Sequence, residues 1–231
     1  MIKNIIYCLI ILLPSISCAQ DVDEDVVQQK KMRQLMREQI FKLKEGILLV
    51  RLQTRENSVQ LLKKEGLRKE AEKMDREQKE YNHNIITSFR SNFNFCPVYF
   101  FSSNYSENFM SCRYDSIIFL NDSLQPDSSL KPDMHKFLTG EYGNLQQDTA
   151  TFVNGSYVYH GENGPERRTT YRGGNNTQIK SVRIMSEQLV QLRNPFPYFV
   201  RVFDTFPVSK RLSNAVARMN EKLHDFYKAQ K

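Results

Sequence analysis

The stretch Gly46-Ile47-Leu48-Leu49-Val50-Arg51-Leu52 decides the fold. A glycine followed by a short, nearly unbroken apolar run reads as a strand buried on both faces, because such a run is too brief for a core helix of its own. Gly46 in front and Thr54-Arg55-Glu56-Asn57 behind have the composition of element boundaries. Read as helix, the run would fuse its flanks into one all-helical arm attached to a β-rich domain. Read as strand, it begins a βαβ unit, completed by the helical stretch at 57–90 and the apolar run at 97–101. The strand reading is preferred.

Working outward, 26–44 has Met32, Met36, Ile40 and Leu43 on one side of a helix. In 57–90, Leu67, Ala71, Met74, Tyr81, Ile85 and Phe89 form a second stripe, with Gly66 as a break and Asn57/Gln60 as a capping box. Pairs such as Glu65/Lys69, Glu72/Arg76 and Asp75/Lys79 decorate its solvent face. Strands are expected at 97–101, 116–120 and 198–203. Hairpins are expected at 149–153 with 156–160, around Asn154-Gly155, and at 181–185 with 189–192. Residues 161–178 read as a long exposed loop, and Ser209 as the cap of a last helix carrying Leu212, Ala215, Val216, Met219, Leu223 and Phe226. The expected fold is α/β (α+β mixed): a mixed sheet with packed helices, a long helical N-terminal region and a C-terminal helix. Its expected organisation is a signal peptide at 1–19, a helical segment at 20–45 and a single mixed domain at 46–231.

The first twenty residues serve export rather than folding. Lys3 is the only charge before Asp21, an apolar stretch runs from Ile5 to Leu13, Pro14 breaks it, and Ser17-Cys18-Ala19 supplies small residues for cleavage before Gln20. The run is shorter than the ~20 residues of a permanent span, so the mature chain is not expected to be transmembrane. A lipoprotein anchored through Cys18 is the less favoured alternative, because Leu is missing three positions before it. Either way the address is secreted or periplasmic.

The 231 residues, 40% apolar and rich in Phe and Tyr, exclude a disordered or fibrous chain. The net charge of +7 is uneven: residues 21–25 carry four acids and no base, and 26–90 carry sixteen bases against nine acids. Interleaving at helical spacing marks a solvated face, and export argues further against nucleic acid. Cys96 and Cys112 remain after cleavage. They are either an even pair bridged in an oxidising compartment or, alternatively, a buried Cys96 that never meets Cys112.

No P-loop, dinucleotide fingerprint, nucleophile elbow or zinc helix is present, and no cofactor is indicated. Asp133-Met134-His135 offers an acid beside a base, and His160-Gly161-Glu162 offers two metal ligands; His83 and His224 read as surface residues. Arg167, Arg168 and Arg172, in the expected loop, form the better binding candidate, able to grip an acidic small ligand through paired hydrogen bonds, while a solvent-facing loop without a ligand is the favoured alternative. Phe196, between two prolines, is read as a core plug. Four Asn-x-Ser/Thr sequons, at Asn104, Asn121, Asn154 and Asn175, matter only in a host that glycosylates them. Asp115-Ser116-Ile117, Asp122-Ser123-Leu124 and Asp148-Thr149-Ala150 have the form of bacterial O-glycosylation sites.

Ala19-Gln20, the 46–52 run, Phe95-Cys-Pro-Val-Tyr-Phe-Phe101, Phe119-Leu-Asn-Asp-Ser-Leu-Gln-Pro-Asp127 and Val190-Gln-Leu-Arg-Asn-Pro-Phe-Pro-Tyr198 together resemble an uncharacterised family of exported Bacteroidota proteins. The resemblance implies a periplasmic address and brings no activity or site residue with it. The expected function is a non-catalytic binding or interaction module of the cell envelope, with an envelope protein or acidic small ligand as partner. The alternative is a periplasmic hydrolase using His135 or His160.

Overall fold

The computed structural model describes residues 20–145, 156–161, 164–169, 179–203 and 208–231, with 20–25, 156–161, 164–169 and 208–209 described by backbone alone. The 46–52 run forms strand β1 (Ile47–Leu52), preceded by helix α1 (Gln20–Glu45). Gly46 separates them for a steric reason. A Cβ there would stand 1.9 Å from the Lys136 carbonyl oxygen, which accepts the Ile47 amide at 3.0 Å. Helices α2 (Glu56–Lys64) and α3 (Arg68–Asn92) follow, broken by Gly66 at φ +81. Residue 55 precedes α2 without a side-chain cap, and Asn57 lies inside the helix, so the expected capping box is not formed.

Strand β2 (Val98–Ser102) pairs parallel with β1 and completes the βαβ unit. A 3-10 turn (Ser103–Tyr105), a short helix α4 (Ser106–Met110) and β3 (Phe119–Leu120) come next. The strand expected at 116–120 is thus reduced to two residues. Ile117 still points into the core, but its amide bonds back to Tyr114 in a turn rather than across a ladder. Strand β4 (Phe137–Asn144), absent from the sequence expectation, lies on the other side of β1 and parallel to it.

Strand β7 (Lys180–Met185) runs antiparallel to β4, and β8 (Phe199–Arg201) antiparallel to β7. The six-stranded order is β3-β2-β1-β4-β7-β8. Residues 189–192 contribute only a bridge from Gln191 to Met185, because 199–201 takes the ladder expected of them. Strands β5 (Ser156–Gly161) and β6 (Gly164–Thr169) form a separate hairpin. Strand β5 therefore pairs forward across residues 162–163, and its expected partner at 149–153 lies outside the described residues. Helix α5 (Val208–Ala229) contains Ser209 as its second residue rather than as a cap.

The alternation along β1 divides the core. Leu48, Val50 and Leu52 meet Ile40 and Leu43 of α1, Ile85 and Phe89 of α3, and Leu212, Val216, Met219 and Leu223 of α5. Ile47 and Leu49 meet Phe101, Phe109, Phe119 and Phe137 on the opposite face. The second half of α1 therefore belongs to the same core as the sheet. Within α3, Ala71, Ile85 and Phe89 are buried as expected, whereas Leu67, just before the helix, is exposed. Phe196 is fully buried, edge-on to Phe226 at 5.8 Å between ring centroids, in keeping with the core-plug reading. Among the described residues, no helix is long and apolar enough to cross a membrane.

Candidate functional site

A backbone contact closes the gap between β1 and β4 at the amino ends of the parallel strands, beside an open groove of about 1000 Å³ lined by Arg37, Phe41, Lys42, Glu45 and Lys136. At the amino ends, the Gly46–Lys136 approach is reinforced by an ion pair between Lys136 and Glu45 at 2.5 Å. At the carboxyl ends the chain leaves β1 toward β2 on one side, while β4 on the other side continues toward β7. Such a switch in direction opens a crevice in α/β sheets.

Two adjoining cavities occupy that end. The larger, about 540 Å³, has an apolar wall of Val59, Ile118, Leu120, Leu124 and Pro126 and a polar wall that includes Arg55, Gln60, Lys63 and Gln78. The smaller, about 370 Å³, lies against Gln53, Tyr81, Tyr142, Gly143 and Lys180; Arg55 and Gln78 line both.

The floor is held by hydrogen bonds among residues distant in sequence. The Gln53 carbonyl accepts from Gln78 Nε2 at 3.0 Å and Asn82 Nδ2 at 2.9 Å, tying the exit of β1 to α3. The Thr54 amide donates to Ser103 Oγ at 3.0 Å, its hydroxyl donates to Asn104 Oδ1 at 2.7 Å, and Asn104 Nδ2 donates to Glu56 at 2.8 Å. Lys79 is paired with Asp75 at 2.7 Å. Arg55 and Lys63 are exposed, and neither makes an ion pair among the described residues. The larger cavity thus combines an apolar wall with Arg55 and Lys63, which make no ion pair among the described residues, and with Glu56 on the same lining.

Beneath it lies a charge cluster the sequence did not signal. Cross-strand register sets Arg51, Glu141 and Arg183 in one row over β1, β4 and β7. Glu141 is fully buried, and its Oε2 takes Arg51 Nη2 at 2.6 Å and Arg183 Nη2 at 2.8 Å, while Gln53 donates to Oε1. Burial alone would raise the Glu141 pKa. The flanking Arg51 and Arg183 outweigh it and hold the carboxyl below the ordinary glutamate value. Arg51 also donates to Ser106 Oγ at 3.1 Å and Arg183 to the Asn144 carbonyl at 2.7 Å, so the cluster braces three strands and α4.

The residues singled out from sequence fall elsewhere. Arg167 and Arg168 belong to strand β6, not to a long loop, because 164–169 pairs with 156–161; Arg172 lies outside the described residues. His135 is exposed, and Asp133 accepts its backbone amide at 2.9 Å, a turn contact rather than an acid–base pair. His160 lies on β5, where only the backbone is described, and Glu162 lies outside the described residues. His83 is exposed, whereas His224 is partly buried against the Phe95 ring and 3.1 Å from Asn94 Oδ1. Burial and the nearby Lys44 and Lys228 lower its pKa.

Cys96 and Cys112 are both free thiols, so the bridge considered above is not formed. Cys96 is buried with the α3 side of the core, where burial pushes its thiol up to about 12. Cys112 is exposed just after α4, where hydrogen bonds from Tyr114 and Gln188 lower its pKa. No group of three or more His, Cys, Asp or Glu among the described residues is placed to hold a metal ion. In comparisons with protein-family models, curated proteins and solved structures, nothing matches this chain.

Proposed function

We propose that this protein is an exported, non-catalytic binding module of the cell envelope, whose ligand occupies the cleft at the carboxyl ends of β1 and β2. The cleft carries the reading. Its volume of about 540 Å³ falls within the range of small-molecule sites, and its mixed lining suits a ligand with an apolar body and one acidic group. Arg55 and Lys63 supply the charge for that group; Ile118, Leu120, Leu124 and Pro126 supply the surface for the body. The amino-terminal pattern ending at Ala19-Gln20 supports the envelope address. Arg55 and Lys63 take the place of Arg167, Arg168 and Arg172 as the cations on which acidic-ligand capture rests.

Octanoate and sebacate are suitable probes, followed by thermal shift and calorimetry on the processed chain. At a hundredfold excess over Kd, a ligand specific for the native state adds about 2.7 kcal/mol, a shift of several degrees. The expected result is a shift that R55A/K63A removes and R201A keeps, since Arg201 lies over Phe203 on edge strand β8. Absence of a shift with every acidic amphiphile tried, or an equal shift in R55A/K63A, would refute the assignment.

A further inference from the structure

We infer that the first half of α1 is a pairing arm, which joins two copies of this chain in antiparallel fashion. This inference is independent of the cleft. Helix α1 is continuous from Gln20 to Glu45, yet only its second half docks, with Met36, Ile40 and Leu43 buried. Every residue from 26 to 35 is exposed, including the apolar Val26, Val27, Met32 and Leu35. At 1.5 Å per residue, the segment from 20 to 35 is a helix of about 24 Å, of which 26–35 are exposed throughout. A polar helix of that length is marginal in water without a covering surface.

Charge and spacing identify the covering partner. Residues 21–25 carry four acids and no base, whereas 30–37 carry four bases, Lys30, Lys31, Arg33 and Arg37, and no acid. Parallel pairing of two arms sets acid beside acid and base beside base. Antiparallel pairing sets the acidic segment of each copy along the basic segment of the other, twice over. The stripe that docks on the body also continues into the arm: Leu43, Ile40 and Met36 are followed at steps of three or four by Met32, Gln29 and Val26.

With Gln29 at the centre, Val26 comes level with the partner's Met32. In the same register Asp25 and Asp21 come level with the partner's Arg33 and Arg37. A two-fold arrangement of this kind closes on itself and stops at the dimer. Its short overlap is less than the ~800 Å² per partner of a standard interface, so the dimer is micromolar and salt-sensitive. An anionic lipid surface fits the arm less well, because the acidic segment would meet it with like charge.

Sedimentation of the processed chain tests this. Dimer is expected at a few hundred micromolar in low salt, with dissociation strengthened roughly tenfold in about 0.5 M salt. D21K/D23K/E24K/D25K makes the arm wholly basic, and K30E/K31E/R33E makes it largely acidic; Arg37 is kept because it lies over Phe41 at 5.7 Å. Each variant alone should be monomeric, and an equimolar mixture should form the heterodimer. K30E/K31E/R33E should keep the wild-type melting temperature at low concentration, since Lys30, Lys31 and Arg33 are exposed. The inference is overturned by a wild-type chain that stays monomeric at the highest concentration, whether or not it binds phosphatidylglycerol vesicles. A variant that self-associates like wild type, a mixture that fails to associate, or a variant that no longer folds would overturn it equally.

Discussion

Glu141 shows how one residue can govern a sheet. Removing one partner of a buried ion pair typically costs 3–5 kcal/mol, because the remaining charge is left unmatched, whereas replacing the whole group with apolar residues is often neutral. Glu141→Gln leaves Arg51 and Arg183 facing each other across β4 without an anion. It should therefore lower stability by about 3–5 kcal/mol in urea denaturation, and R51M/E141L/R183M should recover most of that. The pH dependence has a definite sign. The folded-state pKa lies below the ordinary value of 4.5, so the stabilisation is complete above that value and is lost as pH falls through the lowered one. Wild-type stability should drop below about pH 4.5, and Glu141→Gln should flatten the drop. An unchanged acid limb in the variant would show that Glu141 does not carry it. None of this was legible in advance. Arg51 breaks the apolar run of β1, and Glu141 lies between Gly140 and Gly143 in a stretch that does not alternate, so only the register reveals that the two face each other.

Among the elements, those legible in the sequence have a strong internal period or a steric boundary. β1 was legible because its apolar run is bounded by Gly46; α3 and α5 were legible because their stripes repeat at helical spacing. β4 carries no strand pattern in the sequence although it sits beside β1. Its Gly140 lies under Leu48 and Val50, where an added Cβ would come within 3.3 Å of the Leu48 side chain, so the packing that favours glycine also erases the strand signal. Asn154-Gly155 and Ser209 are locally persuasive turn and cap residues, yet β5 pairs forward and α5 begins one residue earlier. The cleft was illegible for another reason: α2, α3, the 3-10 turn and the 118–126 segment contribute ordinary residues that only the fold assembles. The helical segment expected at 20–45 is α1, and its second half, with Met36, Ile40 and Leu43, packs in the same core as the sheet. Leu43→Ala and Ile40→Ala should each cost about 2–5 kcal/mol, and Leu35→Ala should stay within about 0.5 kcal/mol. Equal and small effects at all three, measured by denaturant midpoint at low concentration, would separate α1 from the domain.

At the scale of the whole molecule, the two ends of the parallel strands differ in what they can open. The amino ends of β1 and β4 are closed by backbone contact at Gly46 and Lys136, with the aromatic cluster of Phe109, Tyr114 and Phe137 packed beside them. The carboxyl ends finish in polar side chains whose hydrogen bonds reach across the cleft from separate elements. Native-state opening follows buried apolar contact, so amides held only by exposed polar contacts exchange through local fluctuations, and those in the packed centre wait for global unfolding. Hydrogen exchange should therefore be slowest at 48–50, 98–101, 138–142 and 182–184, where strands are buried by helices on one face. Exchange should be faster at 53–63 and 102–108, which flank the cleft, and fastest in 26–35 at low protein concentration. A ligand of the cleft adds protection at 53–63, whereas self-association adds it at 26–35, so the two proposals leave separate marks on one exchange map. Uniform slow exchange across 53–63 in the free protein would mean the carboxyl end is as closed as the amino end, and the cleft would then lose its claim to admit a ligand.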